Sequence, residues 1–118
     1  MSLAIMKKHQ HARLRARRTR ARLHGSAQCP RLSIKRSLKH VYVQLINDDT
    51  GTTLACACDK DVSQKGKPLE VAKQVGELIG KKAQTLGITQ AVFDRGAYRY
   101  HGRIAALAEG ARGSGLTI

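Results

Sequence analysis

The sequence predicts an α/β fold: a small mixed β-sheet, made of an antiparallel three-stranded meander plus one strand after a helical crossover, with two helices in the order βββαβα and a basic N-terminal extension. Three observations carry this expectation. Apolar residues alternate with polar ones between residues 31 and 58, they recur at helical spacing between 68 and 86, and the first third of the chain holds no acidic residue.

A chain of 118 residues suffices for one small domain with a tail. Residues 1–27 are expected to form the extension and 28–118 a single globular domain. Within the extension, KKHQHARLRARRTRARLHG (residues 7–25) contains good helix formers but no apolar stripe, and Arg13, Arg15, Arg17, Arg18, Arg20 and Arg22 point all round any helix. Such a segment offers a core nothing to pack on. It is expected to be disordered, or helical only once phosphates neutralise it. A mitochondrial transit peptide is also Arg-rich and acid-poor, but the missing amphipathicity and the scarcity of serine weigh against it.

Pro30 pushes its predecessor into an extended conformation, and strands follow. In Arg31–Arg36, Leu32 and Ile34 fall on one face and Arg31, Ser33 and Lys35 on the other. In Lys39–Ile46, Val41, Val43 and Leu45 alternate with His40, Tyr42 and Gln44. One face is therefore core, the other polar and cationic. Asn47-Asp-Asp-Thr-Gly51 is a hairpin signal, and Thr52–Cys58 returns as the third strand. After a polar loop, Pro68 opens a helix with apolar positions Leu69, Ala72, Val75, Leu78, Ile79, Ala83 and Leu86, capped by Gly87. Ile88–Phe93 reads as a short buried strand. Ile104, Leu107, Ala108 and Ala111 then mark a shorter helix that runs out at Gly113 and Gly115.

The net charge of +14 is unevenly placed: residues 1–40 hold 12 Lys and Arg and no acid, whereas residues 41–118 hold 10 against 8 acids. Clustered cations attract a polyanion and release its counterions on binding. No run approaches the roughly 20 apolar residues of a spanning helix, so nucleic acid is favoured over membrane. The three cysteines Cys29, Cys56 and Cys58 form no CxxC pair and are read as reduced thiols.

Catalytic readings are thin. Asp48 and Asp49 are explained by the hairpin tip, and Asp94 alone ends a strand, which leaves a metal-dependent nuclease without its carboxylate cluster. Gly76-Glu-Leu-Ile-Gly80-Lys81-Lys82 has one residue too few for a phosphate-binding loop and lies inside a helical pattern; packing of the helix against the sheet explains its glycines better. The stretch Arg95-Gly-Ala-Tyr98-Arg-Tyr100-His-Gly-Arg103 differs in kind. Arginine forks and amides at the following helix start suit phosphate oxygens, and Tyr98 or Tyr100 could stack on an unpaired base, with a core place for Tyr100 equally open.

Pro30-Arg-Leu-Ser-Ile34, Arg36-Ser-Leu-Lys-His-Val-Tyr-Val-Gln44, Asp49-Thr-Gly51, Val75-Gly-Glu-Leu-Ile79 and above all Val92-Phe-Asp-Arg-Gly-Ala-Tyr98 with Tyr100-His-Gly-Arg103 together resemble the bacterial large-subunit ribosomal protein L-eighteen family. The likeness runs from about residue 30 to the C-terminus, and the basic leader is similar in composition to that family's extension. The pattern departs at Lys35, where an aromatic is common, at Leu38, where Asn is common, and at the Cys-Ala-Cys strand end. The resemblance implies a non-enzymatic ribosomal component that binds 5S rRNA and helps attach it to 23S rRNA in the central protuberance, beside other large-subunit proteins of the 5S particle. It implies a cytoplasmic, ribosomal location, with no cofactor, metal, small-molecule substrate or homo-oligomer. The implied RNA contacts are the leader arginines; Arg31, Ser33, Lys35 and Arg36 on the sheet; Lys39 and His40 in the turn; and Arg95, Tyr98, Arg99, Tyr100, His101 and Arg103 in the loop. The competing reading is a metal-dependent nucleic-acid hydrolase on a similar sheet.

Overall fold

A computed structural model describes residues 3–20, 23–37, 40–62 and 67–118. Helix α1 spans Leu3–Arg20, β1 Arg31–Arg36, β2 Val41–Asn47, β3 Thr52–Cys58, α2 Pro68–Thr85, β4 Val92–Asp94 and α3 Arg103–Gly113, with a single 3-10 turn at Asp59–Asp61. The α/β class, and the order βββαβα from β1 onward, are as the sequence predicts; α1 adds a third helix within the extension, which the sequence predicts to be disordered or helical only once phosphates neutralise it. The four strands lie in the order β3-β2-β1-β4, with β1 antiparallel to β2, β2 antiparallel to β3, and β4 parallel to β1.

Alternation fixes which face each strand buries. Leu32, Ile34, Val43 and Leu45 turn towards α2 and α3 and pack with Val75, Ile79, Ile104 and Leu107 in one core. Each such side chain contributes about 1.5–3 kcal/mol by leaving water. Ser33 pairs across the sheet with Gln44, and Lys35 with Tyr42, so these four share the opposite face. A register shift between Leu45 and Ile46 leaves Leu54 as the additional residue on β3.

Helices α2 and α3 meet backbone to backbone. A Cβ on Gly76 would lie 2.0 Å from the Leu107 carbonyl oxygen, and one on Gly110 would lie 2.2 Å from that of Lys73. The α2 glycines thus serve a close approach, but the partner is α3 and not the sheet as the sequence suggested. Two other expectations change. Leu69 and Leu86 keep helical spacing but are 51% and 54% exposed, because the first turn and the C-cap of α2 project past the core. The segment 88–93, expected as a buried strand, pairs as a strand only from Val92 to Asp94 and leaves Thr89 and Gln90 exposed; Gln90 instead bridges Thr117, which lets the buried Leu116 close the core from the C-terminus.

Candidate nucleic-acid interface

The helices cover one sheet face, and the other face is where the cationic residues gather. Beyond Ser33↔Asp94, the last pair between β1 and β4, no strand among the described residues pairs with the tail of β1 on that side. Tyr98 takes the vacant place: its hydroxyl donates to the Arg36 carbonyl oxygen at 2.9 Å and accepts from the Arg36 amide at 3.0 Å, while the Arg36 guanidinium lies 5.1 Å from its ring centroid. The loop after β4 is thereby fastened to the end of β1. Arg95 stiffens the same loop by donating Nη1 to the Tyr98 carbonyl oxygen at 2.8 Å, and Gly96 takes the left-handed conformation the turn needs, φ 61°.

Under α1, the sheet face and this loop border a cleft of about 600 Å³, lined among others by Ser33, Lys35, Arg36, His40, Tyr42 and Tyr98, with Ala12 and Ala16 contributed by α1. His40 is exposed and its Nδ1 lies 2.7 Å from Asp59 Oδ2. A second cleft of about 480 Å³ is lined by Arg15, Arg18, Arg95 and Arg99 with Gly96 and Ala97. Arg13 and Arg17 border a third groove, along another side of α1. The structure thus brings Arg15, Arg18, Lys35, Arg36, His40, Arg95 and Arg99 to the clefts on one side of the sheet.

Arg31, also chosen from the sequence, is turned inward. Its side chain is 10% exposed, Nε and Nη2 donate to the Asp48 carboxylate at 2.9 and 3.0 Å, and Nη1 donates to Asp94 Oδ2 at 2.8 Å. With its fork occupied on both sides, it is a clasp and not an open phosphate ligand. The clasp ties the hairpin tip to the end of β4, and the Asp48 carboxylate also accepts the Gly25 amide at 2.8 Å. The Arg31 guanidinium, with smaller help from the Gly25 amide, holds the Asp48 carboxyl down at about 2, and Asp48 in turn raises Arg31. Asp94, the carboxylate a nuclease would need, is 1% exposed and paired with Arg31. Among the described residues no group of three His, Cys, Asp or Glu could hold a metal ion.

Tyr100 is 46% exposed, so the core place open to it from sequence is not the one it takes. Its ring meets Phe93 edge-on at 5.7 Å, and its hydroxyl accepts from Arg112 Nη1 at 2.8 Å. Tyr100, His101 and Arg103 line neither cleft of the sheet side. No side chain caps the start of α3 behind them. Arg22 and Lys39 lie outside the described residues, as does the side chain of Arg20. Tyr42 and Asp48 were not selected from the sequence. The alternation of β2 already put Tyr42 beside His40 and Gln44, whereas nothing local marked Asp48 as more than a turn residue.

The family model described as ribosomal L18 of archaea, bacteria, mitochondria and chloroplast matches residues 6–118. Among curated proteins, the large ribosomal subunit protein uL18 of Staphylococcus aureus strain JH9 is 52% identical over 101 residues, covering 84% of this chain and 85% of that protein. The proteins of the same description from strains Newman and USA300 align with the same figures.

Proposed function

The chain belongs to the ribosomal L18 family, and from that membership we propose that it binds 5S rRNA and helps attach it to 23S rRNA in the central protuberance, beside the other proteins of the 5S particle. It is a structural component of the large subunit in the cytoplasmic ribosome and not an enzyme, which overturns the hydrolase alternative. The observation that carries the RNA reading is the cationic sheet side: one face of the sheet is left uncovered by α2 and α3, and the arginines of α1 and of the loop after β4 converge beside it.

Direct contacts are assigned to Ser33, Lys35, Arg36 and His40 along the sheet, to Arg95 and Arg99 in the loop, and to the leader arginines. Lys39 adjoins His40 and extends this set. Tyr100, His101 and Arg103 would touch RNA only where it continues past the loop. Arg31 and Tyr98 act one step back, holding the loop in place. Phosphate contacts of this kind give salt-dependent affinity, and the shape of the rigid surface selects an A-form or looped RNA. Incubation of the purified protein with labelled 5S rRNA and magnesium tests this: intact, shifted RNA is expected, and an RNA that migrates unshifted at micromolar protein and moderate salt would refute it.

A further inference from the structure

His40 and Asp59 meet where two strands run out together. β2 starts one residue after His40, β3 ends one residue before Asp59, and Tyr42 pairs with Cys58, so both lie at the open end of the hairpin. His40 Nδ1 is 2.7 Å from Asp59 Oδ2. The backbone of His40 is fixed as well: the Ser37 amide donates to its carbonyl oxygen at 2.8 Å, and its own amide donates to Ser37 Oγ at 3.1 Å. The two side chains differ in exposure, 51% for His40 against 9% for Asp59. Asp59 Oδ1 is buried with no hydrogen-bond partner, so among the described residues His40 is the one side chain that compensates this carboxylate. Such burial costs stability, and what it secures is the imidazole.

A carboxylate only accepts, so Nδ1 carries the hydrogen, and in the neutral ring the lone pair then sits on Nε2. With Nδ1 turned to Asp59, Nε2 is the nitrogen left to the cleft of the sheet face, which His40 lines together with Lys35 and Arg36. Lys35 and Arg36 offer only donors, which suit phosphate oxygens. Nε2 offers an acceptor, which a phosphodiester cannot use. The ribose 2′-hydroxyl donates, stands next to the phosphate in the RNA backbone, and separates RNA from DNA.

We propose that Asp59 is a positioning residue for RNA recognition, holding His40 in the tautomer whose Nε2 accepts from a ribose 2′-hydroxyl in the sheet cleft. This rests on the RNA reading above and deepens it: Lys35 and Arg36 answer to charge, whereas the His40 and Asp59 pair answers to the sugar. Asp59, an acid in a chain of net charge +14, acts only through His40.

Two measurements on the full chain test it. The first is nitrogen NMR of the imidazoles at the alkaline end of their titration, with His40→Ala assigning the signal. Wild-type His40 should carry its hydrogen on Nδ1, and Asp59→Asn, whose amide can donate or accept, should leave a mixture of tautomers. A wild-type ring protonated on Nε2 would overturn the proposal whatever the RNA result.

The second uses transcribed bacterial 5S rRNA with scattered 2′-deoxy phosphorothioate nucleotides, beside a phosphorothioate-only control, separated into bound and free fractions. At least one position where the 2′-deoxy sugar blocks wild-type binding should cease to do so in both His40→Ala and Asp59→Asn. Each variant should bind unmodified RNA about 3- to 10-fold more weakly, as for loss of one hydrogen bond, and the double variant no more weakly than His40→Ala. Charge alone predicts the reverse for Asp59→Asn, since losing an acid strengthens binding to a polyanion. His40 is exposed and Asn matches Asp in shape, so both variants should fold, which thermal melting verifies. Tighter binding by Asp59→Asn, identical 2′-deoxy maps, or a change confined to the phosphorothioate control would each overturn the proposal with RNA binding intact. Absence of wild-type binding would overturn the RNA reading and this inference with it.

Discussion

Tyr98 closes on Arg36 through a single hydroxyl, which donates to the Arg36 carbonyl oxygen and accepts from the Arg36 amide. One side chain thereby satisfies two backbone groups at the point where the sheet has run out of strand. Tyr98→Phe keeps the ring over the core and removes both bonds, at a cost of about 1–2 kcal/mol, which lowers the melting temperature by several degrees. RNA preference should fall with it, because the loop carrying Arg95 and Arg99 is no longer fastened to β1. Melting curves together with competition between 5S rRNA and a generic duplex check both effects; an unchanged melting temperature would remove Tyr98 from this role.

The Arg31 and Asp48 pair makes a statement about acid stability. Asp48 is held at about 2 against 3.8 in the unfolded chain, so its contribution is complete above pH 4 and is lost as the pH falls towards 2. The loss is roughly 2 kcal/mol or less, since the carboxylate retains some solvent contact and is partly screened. Urea midpoints between pH 5 and pH 2 should fall more steeply for the wild type than for Asp48→Asn. Parallel curves would show that the clasp does not titrate in this window.

Gly110 places its backbone against Lys73, and an alanine there has nowhere to put its methyl group. Gly110→Ala should destabilise the fold by about 2–3 kcal/mol by forcing α2 and α3 apart, whereas Gly51→Ala meets no atom within 4 Å and suffers only from its left-handed backbone. Chemical denaturation of the two variants tests this, and an equal cost in both would deny the close crossing.

Where the extension is cut matters, because Gly25 belongs to the folded unit: its amide bonds Asp48, its carbonyl accepts the Asp48 amide at 2.9 Å, and a Cβ on it would meet the Arg31 amide nitrogen at 2.3 Å. A chain starting at residue 23 should keep its unfolding free energy within about 0.5 kcal/mol of the full chain's in urea denaturation, as expected for loss of a surface segment. Its RNA affinity should drop by more than a hundredfold at moderate salt, with a shallower salt slope. A stable truncated chain that bound RNA as tightly as the full one would exclude the extension from the interface.

Periodicity made most of the fold legible. Leu32 and Ile34 on β1 and Val75 and Ile79 on α2 face the core as their spacing demands, and Gly87, φ 75°, ends α2 where expected. What stayed hidden were relationships between distant residues. Alternation put Arg31 on the cationic face correctly, but the carboxylates that occupy it, Asp48 and Asp94, are 17 and 63 positions away. Likewise the glycines of α2 signalled a close approach without naming its partner, because Leu107 and Ala111 carry no mark of facing a helix and not the sheet. For the interface, composition identified the cations, and only the fold could sort Arg15 and Arg18 from Arg13 and Arg17.

On the proposed function, a folded surface, and not charge alone, chooses the RNA. The most direct measurement is the ratio of affinities for 5S rRNA and for a generic RNA duplex of equal length, taken at the same moderate salt, for the wild type and for Arg99→Ala. The wild type should favour 5S rRNA by at least about a hundredfold, and Arg99→Ala should reduce that ratio. Equal affinity of the wild type for both RNAs would contradict the account and leave only a basic protein that binds any polyanion.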